Sequence, residues 1–128
     1  MNPVIHFEMP AEDTKRVAAF YSSAFGWNMQ TMGEDMGNYV LANTIESDAQ
    51  GRPAKVGGIN GGFFLKQNSS SQQPSVVIGV GNLQEAMKKV TAAGGTVLGE
   101  PVEIPGVGVY VSFKDTEGNM VSMLQPNM

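Results

Sequence analysis

The chain repeats itself. From Asp13 through Val17 and Tyr21 to Gly26, and again from Asn82 through Ala86 and Val90 to Gly95, a helix cap, apolar positions at helical spacing and a terminal glycine recur at an offset of 69 residues (82 − 13). Each copy follows strand-like sequence, Val4 to Met9 in the first and Ser75 to Val80 in the second. The same offset sets Ser75 opposite His6, the only histidine, which therefore has no twin. Halves of roughly sixty residues bury too little apolar surface to hold a good core alone. The repeat therefore predicts a single domain over residues 1–128, with module 1 at about 3–66, a connector at 67–74 and module 2 at about 75–126.

Local signals set the elements. Asp13 suits an N-cap, Val17, Phe20, Tyr21 and Phe25 fall at helical spacing, and Gly26 suits a left-handed terminus, which predicts a helix over 11–25. Asn82 with Glu85 three residues on makes a capping-box-like start. Leu83, Ala86, Met87 and Val90 supply a buried face, and Gly94 with Gly95 stops the second helix. Extended runs at 27–31, 39–44 and 57–65, then at 96–100, 108–113 and 120–124, complete a β-α-β-β-β pattern in each half. Asp48 before Gly51, and Asp115 before Gly118, suit turns ahead of the last strands. The polar stretch 67–74, ending in Pro74, reads as an exposed connector.

Composition narrows the chemistry. The chain has no cysteine, which removes disulfides, thiolate catalysis and zinc-thiolate sites and accords with a reducing cytoplasm. No apolar run approaches the roughly 20 residues of a membrane span, and no leader pattern is present, so a soluble cytoplasmic protein without a membrane partner is expected. A formal charge of −4 with scattered lysines and arginines argues against nucleic acid as a partner.

Three segments together resemble the vicinal-oxygen-chelate superfamily, which includes glyoxalase I, extradiol dioxygenases and the bleomycin and fosfomycin resistance proteins. They are His6 to Pro10, then Asp13 through Tyr21 to Trp27, and Phe113 through Asp115 and Gly118 to Asn119. The resemblance implies an α+β fold of two tandem βαβββ modules forming a curved, cavity-enclosing mixed sheet. It also implies a homodimer, since such proteins commonly complete their cavities by pairing modules within or between chains. Metal-dependent members hold a divalent ion with one ligand from the first and last strands of each module. On that pattern His6, Ser75 and Ser122 fall at three of the four positions, and no Asp or Glu lies between Asp48 and Glu85 to supply the fourth. Neutral hydroxyls and one imidazole compensate metal dehydration far less than histidines and carboxylates do. Neither the usual metal nor another cofactor is expected.

His6 and Glu8, two apart on a strand, share a face. They form either a catalytic pair, with His6 as general acid or base and Glu8 orienting it, or a vestigial ligand beside a solvated carboxylate. The run Gly57 to Gly62 lacks the context of a phosphate loop and reads as glycines permitting a bulge or close approach, with Asn60 able to present an amide to a ligand. Among the strand aromatics, Tyr39, Phe64 and Tyr110 are candidate ligand contacts, together with Ser75 and Ser122. Three functions fit. The first is metal-independent binding of a small organic molecule between the modules. The second is a glyoxalase-type lyase or isomerase using His6 with Glu8 for proton transfer, and the third is a non-catalytic interaction module.

Overall fold

The computed structural model describes residues 1–46, 48–49, 57–66 and 73–127. Its elements are β1 (Val4–Ala11), α1 (Thr14–Phe25), β2 (Asn28–Thr31), β3 (Val40–Asn43) and β4 (Gly61–Leu65), then β5 (Ser75–Gly79), α2 (Leu83–Ala92), β6 (Thr96–Ile104), β7 (Gly108–Lys114) and β8 (Met120–Pro126). The β-α-β-β-β pattern thus occurs twice, in an α+β fold with an eight-stranded mixed sheet of order β2-β3-β4-β1-β5-β8-β7-β6. Among the described residues no helix is long and apolar enough to cross a membrane.

Both helices start where their caps dictate. The side chain of Asp13 accepts from Arg16 N, and that of Asn82 accepts from Glu85 N, each at 3.0 Å. Gly26 takes the left-handed conformation at φ 71°. The first helix begins at Thr14 and not near residue 11, because β1 continues to Ala11. The glycine run is shorter as strand than expected: β4 begins only at Gly61. Gln50 and Gly51, which complete the turn expected from Asp48, and the connector's residues 67–72 lie outside the described residues. At Asp115 the expected turn is present, the Asp115 carboxylate accepting from the backbone amides of Glu117 and Asn119 and from the Asn119 amide group.

The chain divides into two compact units, residues 6–74 and residues 1–5 with 75–128. In the first, β1 runs parallel to β4, while β2, β3 and β4 are antiparallel neighbours. Ala11, Val40, Ala42 and Phe63 are buried, with Phe7, Met9, Val17, Tyr21 and Trp27 packed around them. Tyr21 stacks on Trp27 at 4.7 Å between ring centroids and meets Phe63 at 5.2 Å. Not every apolar position of α1 is covered, however, since Phe20 and Phe25 are 57% and 64% exposed. In the second unit β5 runs parallel to β8, and β8, β7 and β6 are antiparallel neighbours. The amide of Gly79 donates to Pro3 O at 2.9 Å, so the start of the chain belongs with this unit. Its core is Val80, Leu83, Val111, Phe113 and Met123, against which Ala86, Met87 and Val90 of α2 pack.

Candidate functional site

Strand alternation places the polar residues of the first unit. Phe7, Met9, Val40, Ala42 and Phe63 face the core, so His6, Glu8, Tyr39, Leu41, Gly62 and Phe64 lie on the opposite face of the same strands. Register brings them together, with Glu8 opposite Gly62 in the parallel β1/β4 pair and Leu41 opposite Gly62 in the antiparallel β3/β4 pair. The result is a hydrogen-bonded group centred on a phenol. His6 Nε2 lies 3.0 Å from Tyr39 Oη, and Tyr39 Oη donates to Glu8 Oε2 at 3.4 Å. A Cβ at position 62 would run into the Tyr39 ring, so glycine is what lets the ring lie there. Gly61 serves the Phe7 ring in the same way on the core side. The close approach expected of this glycine run is thus made by aromatic rings at Gly61 and Gly62 and by the Ile45 side chain at Gly58. Burial pushes the His6 imidazole from 6.5 down to about 4, because the cation loses its hydration, and the ring is neutral at neutral pH.

The second unit carries an all-hydroxyl counterpart. Val109, Val111, Phe113, Val121 and Met123 face its core, which leaves Tyr110, Ser112 and Ser122 on the other face. Tyr110 Oη and Ser122 Oγ are 2.7 Å apart, Ser112 Oγ and Ser122 Oγ are 2.9 Å apart, and Ser122 is buried. Ser122 lies opposite both Val77 and Ser112. Since Val77 repeats Glu8, the registers make Gly62 the counterpart of Ser122, Leu41 that of Ser112 and Tyr39 that of Tyr110.

This correspondence answers what stands at the fourth ligand position of the first unit. It is Gly62, which has no side chain, and the space a side chain would take is filled by Tyr39. Among the described residues no group of three or more His, Asp or Glu comes together. One imidazole, one carboxylate and neutral hydroxyls do not match the donor set of the family's metal. Of the other candidate residues, Asn60 is buried and its Oδ1 accepts from the amides of Thr44 at 2.8 Å and Ile45 at 3.3 Å, holding the chain beyond β3. Phe64 is half-buried on the face of Gly62, and Ser75, also half-buried, opens β5. Sequence reasoning did not find the pairing of Tyr39 with Gly62. The signal present was the repeated dipeptide of Tyr39 with Val40 and Tyr110 with Val111, at an offset of 71 where the helices repeat at 69.

Two tandem β-α-β-β-β units, each with a polar strand face, define the paired-module class of proteins. The model of the glyoxalase/bleomycin resistance protein/dioxygenase superfamily matches residues 4–123, and the chain belongs to that superfamily. A glyoxylase-like domain-containing protein from Didymella fabae is 28% identical over 113 residues, covering 88% of this chain and 84% of that protein. Similar solved structures include a hypothetical protein from Bacillus halodurans C-125, with a TM-score of 0.71 and 14% identity over 99% of this chain and 96% of that one. They also include methylmalonyl-CoA epimerase from Mycobacterium tuberculosis, with a TM-score of 0.68 and 14% identity over 98% of this chain and 88% of that one. At such identities the likeness is one of fold.

Proposed function

We propose that this chain binds a small organic molecule, without the superfamily's metal-ligand set, and that His6, Tyr39 and Glu8 are the polar groups that recognise it. The observation that supports this reading is the Tyr39 phenol over Gly62, bonded to His6 on one side and Glu8 on the other. It replaces a ligand side chain by a fixed, neutral donor and acceptor, which suits recognition of a polar organic group. Phe64 and Leu41, on the same face, supply apolar surface beside it. Tyr110, Ser112 and Ser122 offer a second set of hydroxyls in the other unit. The working assembly is a homodimer in this reading, and sedimentation at micromolar concentration should show a species of twice the 13.6 kDa chain mass.

A second reading rests on the same chain of bonds. A neutral imidazole joined through a phenol to a carboxylate is an arrangement for proton transfer, as a lyase or isomerase requires. One substitution separates the two. Ligands are first found by thermal shift among small ketoaldehydes, catechols, thiol conjugates and planar antibiotics. His6→Gln should then leave most of the affinity intact, because glutamine preserves shape and a hydrogen bond. A loss on the order of a hundredfold in a turnover rate, with binding and folding intact, would make proton transfer the function instead.

A further inference from the structure

The hydrogen-bond geometry around Tyr39 constrains a property of His6 that the positions of heavy atoms alone leave open. A phenol has one proton to give, and an ionised carboxylate only accepts. With Tyr39 Oη donating to Glu8 Oε2, the oxygen has only lone pairs left for His6, 3.0 Å away. The imidazole must then be the donor, so Nε2 carries the proton of the neutral ring and Nδ1 carries the lone pair. The opposite tautomer would require Tyr39 to turn its proton to His6 and would set lone pairs of the phenol and of the Glu8 carboxylate against each other.

Nδ1 is also the nitrogen with room to act. Among the described residues no group of the protein bonds it, and no buried side-chain nitrogen or oxygen lacks a partner, so Nδ1 lies at the accessible edge of the ring. We infer that Tyr39 is the positioning residue of this site: it holds His6 in the Nε2–H tautomer and so presents Nδ1 as an acceptor for a hydroxyl donated by the ligand, of the phenolic or enolic class. Such a hydroxyl is a stronger donor than an alcohol, and its unsaturated carbon frame suits the apolar flank of Leu41 and Phe64. The tautomer stands independently of any ligand; the ligand class rests on the binding function proposed above.

Because His6 is the only histidine, its two ring nitrogens can be observed without assignment ambiguity by long-range proton–nitrogen correlation on uniformly labelled protein at neutral pH. The ligand-free protein should show Nε2 protonated and Nδ1 unprotonated. Tyr39→Phe keeps the ring over Gly62 but removes the acceptor, and both nitrogens should move toward the averaged positions of a mixed tautomer. Glu8→Ala frees the Tyr39 proton for Nε2 and should raise the Nδ1–H form. A protonated Nδ1 in the unaltered protein, or a tautomer unmoved in both variants, overturns the positioning role. Phenol and anisole then probe the ligand class. Phenol should shift the Nδ1 resonance and bind about tenfold more tightly than anisole, which lacks the donor, the difference a single hydrogen bond supplies. Equal behaviour of the two, or no binding of phenol, rejects the hydroxyl ligand. Hits of other chemistry in the thermal-shift screen would still uphold the binding function, and the tautomer result is unaffected by either.

Discussion

The two units place a tyrosine at the same point of the same strand pattern and surround it differently. Tyr39 stands over a glycine between an imidazole and a carboxylate, while Tyr110 bonds a buried serine backed by a second serine. The difference traces to four exchanges at matched positions, His6 for Ser75, Glu8 for Val77, Leu41 for Ser112 and Gly62 for Ser122. Duplication has left one half with titratable groups and the other with neutral hydroxyls on an equivalent frame. An equivalent backbone is therefore compatible with two kinds of polar face, and which one is built depends on a few side chains.

Steric substitutions test the frame and should have the largest effect. At Gly108 φ is 154°, and a Cβ there would meet the Gln125 carbonyl of the neighbouring strand, which is backbone and cannot swing aside. Gly108→Ala should cost about 3 kcal/mol or more by urea unfolding. At Gly62 the obstacle is the Tyr39 ring, a side chain able to move, so Gly62→Ala should cost about 1–3 kcal/mol and displace Tyr39 from His6. A smaller loss at Gly108 than at Gly62 would reverse this ranking of rigid and yielding neighbours.

Polar substitutions test the contents. Ser122→Ala leaves Tyr110 and Ser112 without their shared partner and should cost about 1–2 kcal/mol, with little dependence on pH. The first unit should respond to pH instead. Folded His6 takes up its proton only near 4, whereas the unfolded residue does so near 6.5. Between those values the unfolded chain binds the proton that the folded chain refuses. Its contribution is therefore complete above about 6.5 and is lost as the pH falls toward 4. Melting temperatures should decline over that window, and His6→Gln should flatten the decline. An unchanged profile would show that the His6 ring is as hydrated as an exposed one.

The helix caps should distinguish the halves least. Asp13→Ala and Asn82→Ala each remove a side-chain bond to the amide three residues on, and each should cost about 1 kcal/mol. A marked inequality would mean that the two helices are not equivalent parts of the duplication.

Much of this was legible in the residues because its causes are local. Asp13, Asn82 and Gly26 cap helices through bonds and dihedrals within a few residues, and the alternation along β1 puts His6 and Glu8 on one face wherever the strand lies. The lack of any Asp or Glu between Asp48 and Glu85 is likewise read from the residues themselves, whatever the fold. What tertiary structure decided was which residues meet. Tyr39 is 33 residues from His6 and 23 from Gly62, and only the pairing of β1, β3 and β4 brings the phenol between His6 and Glu8. Constant offset pointed to Ser75 as the partner of His6 in the duplication, but offsets drift through loops of unequal length, and strand register alone identified Gly62 as the counterpart of Ser122. Likewise the helical spacing of Phe20 and Phe25 could not say that α1 leaves them uncovered, because periodicity marks a stripe and packing decides how much of it is buried.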